Sequence, residues 1–292
     1  MPSSYGERVV LRLLDKQAAQ INIGDLGLPD SILRNYKNAL QLSEGIILVT
    51  GPTGSGKTTT LYSGLRHISD TSQNILTVED PIEYTLPGIG QTQVNNKAGY
   101  DFASGLRSIL RQDPDIVMVG EIRDIETAKI AIQASLTGHL VLSTIHTNSA
   151  IGAIARLKDM GIESYLLSSS IRVVIAQRLV RRLCEDCKTS VKPSASIQKE
   201  FQLNKNENIY QGFGCTNCNH TGFKGRIALA ECINISDELK ALIHDEASEA
   251  KLAESAFKEN LSLDLSSSQL LRDGITSYEE LLRVQNHQDA NL

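Results

Sequence analysis

Nine consecutive residues, Gly51-Pro52-Thr53-Gly54-Ser55-Gly56-Lys57-Thr58-Thr59, have the types and spacing that hold the phosphates of a nucleotide. The first eight read G-x-x-x-x-G-K-T, directly after the strand-like run Ile46–Thr50 and ahead of a helix-patterned stretch. Gly54 and Gly56 permit a backbone whose successive N–H groups point at phosphate oxygens. The helix that follows adds its positive N-terminus. Lys57 reaches the β- and γ-phosphates, and the Thr58 hydroxyl suits Mg2+, so ATP and Mg2+ are the expected ligands. Such a loop binds nucleotide without saying what is done with it.

Hydrolysis needs further groups on neighbouring strand ends, and two apolar runs end in acids. Ile75–Val78 is followed by Glu79-Asp80-Pro81, and Ile116–Val119 by Gly120-Glu121, with Asp124 beyond. A carboxylate at the C-terminal edge of a sheet beside a phosphate loop holds Mg2+ through water or polarises the attacking water. A further strand, Leu140–Thr144, is bracketed by His139 and His146. A polar sensor of the γ-phosphate belongs there; the other reading of each is a structural or surface histidine. Arg107 and Arg111 lie four apart in a helix-patterned stretch and share a face, either solvated or functional.

Cys184-Glu-Asp-Cys187 and Cys215-Thr-Asn-Cys218 are two C-x-x-C knuckles. Each supplies two thiolates from one tight turn, and together they complete a tetrahedral Zn2+ site. Four protein thiolates leave no open position, so the site reads as structural, against a redox C-x-x-C or unligated thiols. Gly212, Gly214, Gly222 and Gly225 suit turns around the ion. His220 is a substitute ligand that the pattern does not need, and Cys232 reads as a small buried apolar residue.

These groups must be positioned by a fold that 292 residues can build as one large domain or two ordinary ones. An apolar fraction of 41% with 22% charged residues is that of a globular chain. With no Trp and only 4% aromatics, an aromatic platform for single strands is not expected, and a net charge of -5 gives no general pull toward nucleic acid or anionic lipid. No apolar stretch approaches the roughly 20 residues that span a bilayer. The opening MPSSYGERVV lacks the basic and apolar regions of a signal peptide, which sets a cytoplasmic expectation with reduced thiols. Arg8 to Leu14 reads as a strand and Asp30 to Leu42 as a helix. From residue 45 to about 150, short apolar runs alternate with helical patterning, which predicts an α/β domain with a largely parallel sheet. Residues 151–183 read as helical throughout, 184–226 lose periodicity, and 234–285 return to helical patterning. The expected parts are 1–28 as lead-in, 29–183 as phosphate-loop core, 184–226 as tetracysteine unit and 227–292 as helical C-terminal region.

Six pieces carry a family resemblance: GPTGSGKTTTLY (51–62), VEDPIEY (78–84), RSILRQDPDIVMVGEIRD (107–124), TGHLVLSTIHTNSA (137–150), the two cysteine knuckles, and GRIALAEC (225–232). The chain resembles the ATPases of type II secretion and type IV pilus assembly, within a larger group that includes pilus-retraction and conjugation motors. The resemblance covers nearly the whole chain. It implies a RecA-like α/β fold with a tetracysteine zinc-binding insertion, and a homohexamer with nucleotide between subunits. It implies that Glu79 polarises the attacking water, that Glu121 serves Mg2+, and that His146 senses the γ-phosphate with His139 nearby. Arg107 and Arg111 would act near the nucleotide or at the subunit contact. Arg12, in GERVVLRLLD, would reach a neighbour's nucleotide. The implied partners are an inner-membrane platform protein and a cytoplasmic docking protein, with no direct nucleic-acid contact, and the implied location is the cytoplasmic face of the inner membrane. Members carry a sizeable domain ahead of this core, of which residues 1–28 resemble the end. A poorly active, weakly ring-forming short form is therefore one alternative, and a DNA uptake or transfer motor is another.

Overall fold

A strand buried on both faces has no polar side, and the run Gly45–Thr50 (GIILVT) is buried at every position. It is the middle of the molecule. The computed structural model describes residues 2–4, 6, 7, 9 and 21–286. Of the strand expected over 8–14 Val9 is described, and the rest, Arg12 with it, lies outside the described residues. A short hairpin, β1 (Pro2–Ser3) with β2 (Gly6–Glu7), comes first. Helix α1 (Asp30–Ala39) then buries Ile32, Tyr36 and Ala39 along one stripe. The alternation follows: β3 (Gly45–Thr50), α2 (Lys57–Ile68), β4 (Ile75–Glu79), β5 (Gly90–Gln93), α3 (Phe102–Ile109), β6 (Ile116–Val119), α4 (Ile125–Leu136) and β7 (Leu140–Ile145). Two helices, α5 (Ala150–Asp159) and α6 (Ser164–Ser170), lead into the long strand β8 (Ile171–Leu183). The cysteine segment holds β9 (Lys188–Val191), α7 (Ala195–Glu200) and β10 (Ile209–Gly212), and the chain returns through β11 (Phe223–Asn234). Four helices close it: α8 (Asp237–His244), α9 (Glu249–Ala256), α10 (Leu263–Arg272) and α11 (Tyr278–Asn286).

Seven strands form one sheet in the order β11-β8-β3-β7-β6-β4-β5, parallel throughout except that β11 runs antiparallel to β8. Successive side chains of β3 feed opposite cores. Ile46 and Leu48 pack with α3 to α6, α8 and α9, whereas Ile47 and Val49 pack with α1 and α2. A third core joins Val180 and Leu229 of the sheet to Phe201, Leu203 and Ile209 of the cysteine segment and to Leu270, Leu271 and Leu281 of α10 and α11.

Two readings of the sequence change. Residues 171–183 are not helical. They are β8, hydrogen-bonded on one side to β3 and on the other to β11 over ten residue pairs. Val173, Ala176, Val180 and Leu183 keep a helical spacing, and the open slot between two strands decides against it here. The other is β5, whose GQTQ gave no apolar signal because it is a short polar edge strand.

Candidate functional site

The phosphate loop leaves the C-terminal end of β3 and enters α2 at Lys57. Gly51 has φ +141°, and a Cβ there would lie 2.2 Å from the Gln177 carbonyl of β8. Gly56 has φ +89° as the residue before α2, a conformation open to glycine. Gln177, 2% exposed, donates to the Ser55 carbonyl at 2.8 Å and accepts from the Thr60 hydroxyl at 2.8 Å. It ties the end of the loop to the first turns of α2. Sequence reading missed it; its one signal is an amide directly after the apolar run 173–176 of β8. Lys57 Nζ donates to the carbonyls of Gly51 and Pro52 at 2.8 and 3.1 Å. Burial lowers the Lys57 pKa, against the opposing charge of Glu121. The Ser55 hydroxyl is buried without a hydrogen-bond partner among the described residues, and Thr58 is exposed in the first turn of α2. An orphaned buried hydroxyl, a buried lysine and a helix N-terminus together fit a nucleotide phosphate.

Glu121 stands where β6 ends. Gly120 N–H donates to Val78 O at 2.8 Å, and Thr144 Oγ1 to Gly120 O at 2.8 Å, so β4, β6 and β7 deliver their C-terminal ends together. The Glu121 carboxylate lies 3.3 Å from His146 Nε2, just past β7, and is ion-paired with Arg123, a residue the sequence reading passed over. Burial lowers the His146 pKa, reinforced by Lys57 and Arg123 and opposed by Glu121. Lys57, Glu121 and His146 thus form one electrostatic group at the loop.

Glu79 is held differently. It is 3% exposed and accepts from Tyr62 of α2, from Thr77 at 2.6 Å and from Gln91 of β5 at 3.0 Å. Strand alternation puts it on the same face as Ile75, toward α1 and α2. His139 is not near this group. It precedes β7, at the opposite end of that strand from His146, with Nδ1 3.0 Å from Ala134 O. A six-residue strand separates the two by roughly 20 Å. Arg107 pairs with Glu126 at 2.9 Å, both side chains about half exposed, and Arg111 is exposed in the turn after α3.

Beside the loop lies a cavity of about 610 Å³, walled by residues 52–55, by Arg178 and Leu179 of β8, by Arg226 of β11 and by Arg283 and Val284 of α11. None of these arginines was singled out by the sequence. Arg178 is 3% exposed and fixes α11 by donating to Val284 O at 3.2 Å.

The four cysteines meet. All four sulfurs lie within 4.8 Å of one another, with 184–215, 187–218 and 215–218 each at 3.8 Å. A tetrahedral ion with Zn–S of about 2.3 Å requires S···S of about 3.8 Å, so the donor set fits Zn2+. Burial raises the Cys218 thiol pKa, but backbone N–H groups of Cys215 and Gly222, at 3.2 and 3.3 Å from the sulfur, bring it down to about 6. Burial pushes Cys187 up to about 12, so four thiolates together need a cation to balance them. His220 is not part of the cluster, and Cys232 is fully buried elsewhere.

The family described as Type II/IV secretion system protein matches residues 1–283. The Type II secretion system ATPase E of Vibrio cholerae is 53% identical over 286 residues, 97% of this chain and 57% of that protein. The Putative type II secretion system protein E of Escherichia coli K12 is 52% identical over 286 residues, 97% of this chain and 58% of that protein. Among solved structures, the pilus retraction motor PilT with bound ADP aligns with a TM-score of 0.71 at 29% identity, over 94% of this chain and 68% of that one. The chain spans a little over half the length of these curated relatives. It belongs to the Type II/IV secretion system protein family.

Proposed function

We propose that this family member is the hydrolytic core of a secretion ATPase, binding ATP on the loop 51–59 and cleaving its γ-phosphate. The observation that carries the reading is the convergence of Lys57, Glu121 and His146 at strand ends that hydrogen bonds hold together. Lys57 meets the β- and γ-phosphates in exchange for the carbonyls it now contacts. Thr58 and, through water, Glu121 would hold Mg2+, which neutralises charge developing on the phosphates. His146, kept neutral by its lowered pKa, offers an uncharged ring nitrogen to the γ-phosphate. Glu79, one strand beyond Glu121, acts on the attacking water. The Zn2+ site staples the segment 184–222. Relatives above 50% identity carry type II secretion names, which favours protein secretion over pilus assembly. We extend the reading to a homohexamer on the cytoplasmic face of the inner membrane, moving a platform protein and anchored by a docking protein. Arg12, Arg107 and Arg111 then belong at subunit contacts.

The test is ATP turnover with nucleotide affinity measured in parallel. Lys57→Ala is expected to lose both. Glu79→Gln and Glu121→Gln are expected to lose turnover by about 100-fold or more, while affinity changes little for Glu79→Gln. Equal loss of affinity in Lys57→Ala and Glu79→Gln would remove Glu79 from the chemistry.

A further inference from the structure

We propose that Tyr62 is a positioning residue for hydrolysis: it aims the oxygen of Glu79 that, among the described residues, keeps a lone pair for water. This rests on the reading above, in which Glu79 acts on the attacking water. Each carboxylate oxygen accepts about two hydrogen bonds. Oε1 of Glu79 takes two, from Thr77 at 2.6 Å and from Gln91 Nε2 at 3.0 Å, and is full. Among the described residues, Oε2 takes Tyr62 alone. The direction of its remaining lone pair is therefore set by where the Tyr62 hydroxyl stands.

The hydroxyl is fixed. Tyr62 is 2% exposed and its ring packs edge-on against Tyr84, centroids 5.4 Å apart. Gln91 is fixed as well, donating to Tyr84 O at 3.1 Å and accepting from Leu86 N–H at 2.6 Å. Glu79 is thus gripped from α2, from its own strand and from β5. Tyr62 lies five residues after Lys57 on the same helix, about 7.5 Å along its axis. The helix that receives the phosphates at its first residue also orients the acid. An apolar side chain would fill this site at less cost than a buried carboxylate needing three donors, so filling space does not explain the arrangement.

Three variants of the full chain decide it, with ATP turnover and nucleotide affinity as readouts. Tyr62→Phe keeps the ring and removes the donor to Oε2. We expect kcat to fall about 10-fold or more with affinity within about 2-fold. Thr77→Val removes an equally buried donor, but from Oε1, which keeps Gln91; its kcat should fall no more than a few-fold. Combining Tyr62→Phe with Glu79→Gln should be no slower than Glu79→Gln alone, because Tyr62 acts only through that carboxylate. Turnover of Tyr62→Phe at the unsubstituted rate, equal losses in Tyr62→Phe and Thr77→Val, additive losses in the double variant, or failure of Tyr62→Phe to fold would each overturn the assignment. Absence of turnover in the unsubstituted chain would instead defeat the ATPase reading, and this inference with it.

Discussion

His146 sits between opposing charges, and the balance is readable. Burial and the cations Lys57 and Arg123 disfavour its protonated form, and Glu121 at 3.3 Å favours it; the first set prevails. A pKa below the ordinary 6.5 means that the folded chain binds this proton less readily than the unfolded one. Its contribution to stability is therefore complete above about pH 6.5 and is lost as pH falls below that value. Followed by NMR, the His146 ring should titrate below 6.5, and lower still in Glu121→Gln, which removes the one favourable charge; a midpoint above 6.5 would show that the carboxylate dominates. At this scale the sequence is informative where chemistry is local. The loop 51–58 and the two cysteine knuckles are contiguous, and their spacing implies their geometry. Glu79 was visible as an acid at a strand end, but its direction was not. That depends on the parity of β4 and on Gln91, which sits on a polar strand without a signal. His139 and His146 look equivalent in sequence, and only the direction of β7 shows that they occupy opposite edges.

Among elements, α1 makes a close approach at Tyr36 to α2, the helix that the phosphate loop enters. Tyr36 is fully buried and donates to Thr60 O at 3.0 Å, reaching α2 through the gap left by Gly64. A Cβ on Gly64 would stand 2.1 Å from the Tyr36 hydroxyl oxygen and 2.8 Å from Cζ. Replacing a mid-helix glycine by alanine gains about 1 kcal/mol of helix propensity. Overpacking of this kind costs about 1–3 kcal/mol, so the clash should prevail. Gly64→Ala is expected to lower the denaturation midpoint, and Tyr36→Phe in the same chain to restore part of the loss, since the hydroxyl is what the new methyl meets first. A Gly64→Ala chain more stable than the original would contradict this packing. The spaced apolar residues of α1 marked its inner face from sequence. The glycine of α2 carried no such mark, because its partner lies 28 residues away in the chain. β8 was misread for the same kind of reason: its thirteen residues, with apolar positions 173, 176, 180 and 183 at helical spacing, are a strand because β3 and β11 flank them.

Across the whole molecule, the cysteine segment is tied to the phosphate-loop side through its neighbours. Arg181 of β8 stands three residues before Cys184, and it stacks on Phe223 at 4.1 Å while donating to Glu280 of α11 at 2.7 Å. Glu280 also holds Arg283 at 2.7 Å, and Arg283 faces the cavity beside the phosphate loop. Burial raises the Glu280 pKa, but the two arginines outweigh it and bring the carboxyl down to about 2. The third core, which mixes residues of 184–226 with β8, β11, α10 and α11, gives this contact its apolar support. Metal removal should therefore have a graded effect. One Zn2+ per chain is expected, held by Cys184, Cys187, Cys215 and Cys218, with apparent binding energy on the order of 10–16 kcal/mol in small zinc modules as a guide. Strong chelation should speed backbone hydrogen exchange over 184–222 first. The 215–222 turn should lead, because the amides of Cys215 and Gly222 hydrogen-bond the Cys218 sulfur that the ion would hold in place. Nucleotide binding at Lys57 should persist, since the loop is fixed by Gln177 and by β3 rather than by the knuckles. Elemental analysis of metal-replete protein showing well under one Zn2+ per chain would refute the site. Loss of nucleotide binding in step with the metal would show that the path through Arg181, Glu280 and Arg283 carries more of the loop's order than the hydrogen bonds of Gln177 do.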